Sequence, residues 1–412
     1  MYICGMIHPK NLQIETFQYT LPDEKIAKFP LAIRDVSKLL VYNNNNFTDS
    51  QYANIAQYLP ENGLIVFNQT KVINARLLFQ KNTGGKIEIF CLEPDERYHD
   101  IITAMSQTKE VYWKCLVGGA GKWKDNQPLT LVSAIAGTKL NAQVHEKQNE
   151  AFIIKFSWDT SCNFAEILQK AGEIPLPPYL NRAVEEADKT TYQTMFAKEE
   201  GSVAAPTAAL HFTPATLRSL SEKRIEQAQI TLHVGAGTFK PVKAETMDGH
   251  EMHPEFIEVE TSFIELIICK IKNNQPIIAV GTTSVRTLES LYWIGQKINE
   301  EGEIDFNSIT VQQWFPYECK APKSTIQNLE ALLVYLQKQK STRLITRTQI
   351  IIAPSYDFKI VKAIITNFHQ PQSTLLLLIS AFIGDKWKTM YEHALQNNYR
   401  FLSYGDGCLL LK

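Results

Sequence analysis

GSVAAPTAALHFTPATLRSLSEKRIEQAQITLHVGAGTF, residues 201–239, holds two polar loops, AAPTAALHFT and HVGAGTF, joined by an amphipathic run and a short apolar strand. Thr213 is placed to cap a helix whose first residue is Pro214. Leu217, Leu220, Ile225 and Ala228 give that run an apolar face. Ile230, Leu232 and Val234 alternate with Thr231 and His233 as a strand does. The strand empties into Gly-Ala-Gly, where the backbone turns sharply or approaches a ligand. The same grammar recurs twice downstream. An apolar strand over 276–280 precedes GTTSVRTLESL, and another over 361–365 precedes TNFHQPQSTLLLLISAF. In sheets with parallel strands such loops gather at the carboxyl edge, where ligands bind. The three segments therefore read as one site on an α/β fold with a parallel or mixed, barrel-like sheet.

The chain has 412 residues, length for about two or three domains. Its formal net charge of -1 gives no global basic signal, so a nucleic-acid partner must be held by a local patch. The seven cysteines are scattered with no CxxC pair, which fits reduced thiols rather than disulfides or zinc. No basic flank followed by an apolar run marks a secretory signal. The longest apolar run, 375–383, is too short to span a bilayer and fits a buried helix. The expectation is a soluble, cytoplasmic protein with no membrane association.

In chain order, Asp23 is expected to cap a short helix beginning at Ile26. A strand follows over 38–42, a turn over 43–46, and a helix from Asp49 to about Tyr58. Leu64 to Phe67 reads as a strong strand ending in NQTKVINARL. Between about 71 and 158 the texture changes to short alternating runs, such as KIEIFCLEP, VYWKCLV and AFIIKFSW, separated by glycine turns. That spacing indicates an all-β barrel or sandwich. The reading is an α/β domain over 1–70 and 159–412, with a β-barrel inserted over 71–158. Lys114, Lys122 and Lys124, with Trp123, give the insert a basic aromatic tip. With Lys71 and Arg76 they are the candidate RNA contacts. The proline-rich GEIPLPPYLNR reads as a stiff return, with Tyr179 and Arg182 toward the site. Residues 300–343 read as a surface excursion carrying one helix near 328–337.

HVGAGTFK lacks the third glycine of a dinucleotide fingerprint. GTTSVR lacks the Lys of a phosphate loop, yet offers backbone N–H groups and the Thr282, Thr283 and Ser284 hydroxyls at a helix start, which suits an anion. HEMHPE is not HExxH, because its histidines are three apart and Pro254 breaks the helix, so no metal site is expected. His211, His233 and His369 sit in loops or strand ends of one type, which favours a functional cluster over three separate structural roles.

IRDVSKLLV, FNQTKVINARL, PLPPYLNR, YQTMFA, VAAPTAALHFT, TLHVGAGTFKPV, AVGTTSVRTLE, ITNFHQPQSTLLLLISAF and YRFLSYGDG stand in this order along the chain. Together they resemble the S-adenosylmethionine:tRNA ribosyltransferase-isomerases of queuosine biosynthesis, from about Leu21 to the C-terminus. Departures are Ala209 for glycine, Ser355 for the glycine of Pro-Gly-Tyr, Gln370 for leucine, and Gly407-Cys408 for Ala-Met. The stretch 295–343 is longer than in compact members. The resemblance implies an enzyme that moves the ribosyl part of S-adenosylmethionine onto 7-aminomethyl-7-deazaguanine at the tRNA wobble position. Isomerisation gives epoxyqueuosine and releases adenine and methionine. S-adenosylmethionine is then a co-substrate, with no further cofactor and no metal. The partner is the anticodon stem-loop of tRNA, and the protein a monomer. The sulfonium acidifies the ribose 5′ carbon, so a base starts the reaction, and departing adenine needs a proton. His211, His233, His253 and His369 are candidates for either role. Asp406 is a candidate acceptor from ribose hydroxyls or the aminomethyl group. Arg286 is expected to hold the methionine carboxylate. Thr207, Gly235, Gly237, Thr282, Thr283, Ser284, Asn367 and Ser373 complete the expected substrate site. A sugar-phosphate transferase or lyase and a non-catalytic RNA-binding protein are the alternatives.

Overall fold

The computed structural model describes residues 8–81, 84–98, 100–123, 127–132, 139–148, 151–235, 242, 244–306 and 308–412. The strands begin with β1 (Lys38–Asn43), β2 (Asn46–Gln51), β3 (Leu64–Asn68) and β4 (Thr70–Val72). Next come β5 (Arg76–Gln80), β6 (Lys86–Pro94), β7 (Glu110–Gly118), β8 (Leu129–Val132), β9 (Lys139–Gln148) and β10 (Ala151–Trp158). The remainder are β11 (Glu199–Ser202), β12 (Glu226–His233), β13 (Glu255–Glu260), β14 (Ile277–Val280), β15 (Ile309–Val311), β16 (Arg343–Thr348), β17 (Val361–Asn367) and β18 (Gly407–Leu411).

Among the described residues ten of these form one mixed sheet, ordered β15-β16-β13-β12-β3-β14-β17-β18-β1-β2. Its centre, β12-β3-β14-β17, is wholly parallel. Every residue of β3 and β14 is buried, as it is for parallel strands covered on both faces. On one face Leu64, Val66, Ile230, Ile277 and Ala279 pack with the helices Thr261–Lys272, Thr282–Glu301 and Thr374–Ile383. On the other, Ile65, Phe67, Ile278 and Val280 pack beneath Ala209, Phe212 and Leu220. The helix carrying Leu220, Pro214–Glu222, starts at Thr213, whose hydroxyl accepts from Thr216 N–H.

The six strands from β5 to β10 form a second, antiparallel sheet, ordered β5-β6-β7-β10-β9-β8, that curls into a nearly closed barrel around its own core.

Three expectations are corrected. Asp49 starts no helix: it lies in β2, paired with β1 in a hairpin. Asn44 and Asn45 take φ of 47° and 65°, the left-handed pair that a two-residue hairpin turn needs. Asp23 heads a single 3-10 turn, Asp23–Lys25, and the chain is extended again at Ile26. Residues 300–343 are a surface excursion only in part. Leu329, Leu332 and Leu336 of the helix Thr325–Lys338 are fully buried in the main core, and β15 and β16 extend the main sheet. Gly295 admits the close helix contact, since a Cβ there would stand 2.0 Å from the Asn328 carbonyl oxygen. Among the described residues no helix is long and apolar enough to cross a membrane.

Candidate active site

Because β12, β3, β14 and β17 run parallel, His233, Asn68, Gly281 and Asn367 come out at the same edge of the sheet. Strand β18 runs antiparallel to β17, so its entry loop joins them there. A cleft at this edge encloses about 720 Å³ including its open mouth. It is lined by the 204–208 segment, Val234, the 281–283 turn, 366–370 with Ser373, and Leu402 with Ser403. Tyr179 and Tyr192 complete the wall. This lining suits a small-molecule site, mostly apolar with a few aimed polar groups.

Each polar group is set by its element. Gly281 takes φ +86° and carries the chain from β14 directly into the helix Thr282–Glu301. As N-cap it offers no side chain to the helix N–H groups, and Gly281, Thr282 and Thr283 face the cleft. A helix start of this kind receives anions. Thr207 opens a 3-10 turn, Thr207–His211, and lines the cleft. Ser373 caps the helix Thr374–Ile383. His369 lines the cleft with Nε2 2.9 Å from Thr366 Oγ1. Its main-chain N–H donates to Tyr391, and its carbonyl accepts from Tyr19.

Asn367 Nδ2 donates to the Leu402 and Ser403 carbonyls at 2.9 and 3.4 Å and lies 3.5 Å from His211 Nε2. These contacts fix the amide, and among the described residues Oδ1 is left buried without a hydrogen-bond partner. Leu402 takes φ +68°, a costly conformation for a bulky side chain. It is held there from both sides, since its own N–H donates to Phe368 O at 3.1 Å.

The other expected residues are placed differently. His211 is buried behind Asn367, its ring stacked on Tyr52 at 4.3 Å. His233 Nδ1 lies 3.1 Å from Thr70 Oγ1 beneath the strand ends. Burial lowers the histidine values to about 3 for His211, about 4 for His233 and about 3 for His369, so all three are neutral near pH 7. For His211 the Arg400 charge acts in the same direction. His253 is exposed and does not line the cleft. Asp406 is buried with its oxygens on the Lys38 and Arg400 main-chain N–H groups, so it ties β1 and the last turn together. Ser284 donates back to the Val280 carbonyl. Arg286 is buried in an ion pair with Glu255, and its Nε donates to Ile350 O. Glu255 also accepts from Gly235 N–H at 3.4 Å. The arginine thus braces the strand-end loops from behind. Gly237 and Lys124 lie outside the described residues.

Of the expected RNA contacts, Lys71 pairs with Glu200 at 2.8 Å, Arg76 with Glu88 at 3.2 Å and Lys114 with Glu93 at 2.7 Å. Lys122 sits in the 3-10 turn after β7. Sequence reasoning missed Tyr192, Leu402 and Ser403 as walls; YQTMFA and SYGDG were noticed, but nothing in them says that they face a cleft. Among the described residues no group of three or more His, Cys, Asp or Glu is placed to hold a metal ion.

A family model described as "Queuosine biosynthesis protein" matches residues 14–410. A relative from Aquifex aeolicus, named S-adenosylmethionine:tRNA ribosyltransferase-isomerase, is 36% identical over 406 residues, covering 97% of this chain and 100% of the relative. One of the same name from Trichlorobacter lovleyi is 36% identical over 403 residues, covering 97% and 99%. Another from Magnetococcus marinus is 34% identical over 400 residues, covering 97% and 94%. A crystal structure of an S-adenosylmethionine tRNA ribosyltransferase from Thermotoga maritima covers 96% of this chain and 99% of its own at 26% identity, with a TM-score of 0.46. With nearly its whole length matched at these identities, the chain belongs to the queuosine biosynthesis protein family of S-adenosylmethionine:tRNA ribosyltransferase-isomerases.

Proposed function

We propose that the protein transfers and isomerises the ribosyl part of S-adenosylmethionine onto 7-aminomethyl-7-deazaguanine at the tRNA wobble position, giving epoxyqueuosine, adenine and methionine. The observation that carries the reading is the convergence of 204–208, Val234, 281–283 and 366–373 on one cleft at the carboxyl edge of the parallel strands. Within it the methionine carboxylate goes to the uncapped N–H groups at the start of the helix Thr282–Glu301. This replaces Arg286 as the anchor, because that guanidinium is buried in its ion pair with Glu255 and does not line the cleft. Asn367 Oδ1 accepts from a ribose hydroxyl or the adenine amine, which relieves a buried acceptor worth about 1–3 kcal/mol.

His369 is the candidate base. It lines the cleft and takes the proton from the acidified 5′ carbon; burial lowers its basicity, so the role rests on its position and not on its titration. Burial makes its imidazolium a ready donor, so the same ring returns that proton to the departing adenine. His211 acts through Asn367 and His233 through Thr70, as positioning residues. The reading includes a monomeric cytoplasmic enzyme that needs no metal, with a barrel domain inserted near 71–158.

The test is incubation with S-adenosylmethionine and tRNA carrying the deazaguanine base, followed by mass analysis of the nucleoside and of free adenine. Epoxyqueuosine with stoichiometric adenine is expected. A methylated nucleoside, or no adenine, contradicts the reading.

A further inference from the structure

Four of the seven large apolar side chains exposed among the described residues fall in one neighbourhood: Phe29 at 49%, Ile33 at 61%, Val36 at 40% and Met195 at 44%. They are held together by polar contacts rather than by a core. The Arg34 guanidinium donates to the carbonyls of Gln193, Thr190 and Thr191 at 3.1, 3.2 and 3.5 Å, which fixes the 29–36 stretch against 190–195. The Arg182 guanidinium lies 4.2 Å from the Phe29 ring centroid. It is itself locked by a two-pronged pair with Asp188 at 2.7 and 2.6 Å and by donation to Lys28 O at 2.9 Å. A second cavity opens beside this ring, lined by Asp23, Ile26, Lys28, Pro178, Tyr179 and Asn181. Tyr179 is also a wall of the main cleft, so the two cavities share it.

A half-exposed aromatic ring on a fixed guanidinium, with apolar side chains around it and a pocket alongside, is a platform for unstacked bases. We propose that the Phe29–Arg182 pair and the exposed Ile33, Val36 and Met195 seat the anticodon loop, one nucleotide next to the modified base stacking on Phe29 while that base enters the cleft past Tyr179. The inference rests on the tRNA-modifying reading above. The cations of this face are less tied to carboxylates than those on and beside the barrel. Lys25, Lys38 and Arg34 are bonded to side-chain amide or main-chain carbonyl oxygens rather than carboxylates, and Lys28 has no ion pair among the described residues. Lys71, Arg76 and Lys114 on and beside the barrel are each already neutralised by a glutamate. Asp23, Glu24 and Asp35 share the 23–38 stretch with the four cations, and Glu185, Glu186 and Asp188 stand with Arg182 and Lys189 in the facing segment, so the face is near neutral. Stacking rather than phosphate attraction therefore dominates here.

Titration of a labelled anticodon stem-loop at two salt concentrations, read by fluorescence anisotropy, tests this, with calorimetric S-adenosylmethionine binding measured on the same variants. Phe29→Ala is expected to weaken stem-loop binding about tenfold with an unchanged salt slope and unchanged S-adenosylmethionine affinity. Phe29→Trp should restore it, and Ile33→Ser with Met195→Ser should weaken it as well. Lys122→Glu should have little effect. Wild-type affinity in Phe29→Ala and in the Ile33→Ser, Met195→Ser pair overturns the inference, and a loss on Lys122→Glu then puts the RNA on the barrel. If the wild type releases adenine on tRNA while the patch variants bind normally, only the inference falls. If the wild type binds no stem-loop, the functional reading falls with it.

Discussion

At the scale of single residues, the chemistry depends on what burial does to imidazole. His211, His233 and His369 have folded values of about 3, 4 and 3 against 6.5 for the free side chain. A depressed value means that the unfolded chain binds protons that the folded one does not. Their share of stability is therefore full above about pH 6.5 and is lost as pH falls toward 4 and then 3. Near pH 5 each costs on the order of 1–2 kcal/mol relative to neutral pH. Urea unfolding as a function of pH should show this acid loss, and His233→Gln, which cannot be protonated, should flatten it between pH 6.5 and 4. A pH profile in His233→Gln that follows the wild type contradicts the assignment. The sequence made these histidines visible as a set because they share a context. It did not separate them, because Thr70, Asn367 and Tyr52 are partners brought to His233 and His211 from other strands and loops, while Thr366 stands in the same segment as His369. Arg286 illustrates the same limit. Arg286 is on the helix Thr282–Glu301 and its partner Glu255 on β13, and nothing local in GTTSVR or HEMHPEF links the two.

At the scale of elements, local chemistry was legible at several caps and turns, though not at Asp23 or Asp49. Thr213 with Pro214, the helix start at Gly281 and the Asn44-Asn45 turn each do what their residue types favour. Misreadings arose where tertiary pairing overrode the local pattern. β2 is polar and exposed enough to pass for a helix start, and becomes a strand because β1 pairs with it. The helix Thr325–Lys338 looked peripheral, yet one face of it packs into the main core because Gly295 leaves room for it. The loop at Ser355 carries a departure from the family pattern together with its consequence. Ser355 takes φ +79°, where a side chain is strained and glycine is not. The loop keeps its shape because buried Glu289 accepts from Tyr356 OH and from the N–H groups of Lys359, Ile360 and Val361. Ser355→Gly should stabilise the protein by about 1 kcal/mol in thermal or urea unfolding, with adenine release unchanged. Destabilisation by that substitution would mean that the hydroxyl, not the backbone, shapes the loop.

At the scale of the whole molecule, the α/β texture and the change to short strands could be read from residue order, but the strand order could not. That β12, β3, β14 and β17 are neighbours, and that the last strand returns antiparallel beside them, follows from which faces bury together across hundreds of residues. This order brings the 204–208, 281–283, 366–373 and 402–403 segments to one cleft and leaves His253 outside it. The central claim is that ribosyl transfer occurs in that cleft with His369 moving the proton. Single-turnover adenine release with saturating S-adenosylmethionine and tRNA tests it most directly, comparing His369→Ala with His253→Ala. The account predicts a loss of about 10²-fold or more for His369→Ala, with unfolding curves intact, and near wild-type release for His253→Ala. Equal rates in the two variants, or a selective loss in His253→Ala, would place the chemistry elsewhere.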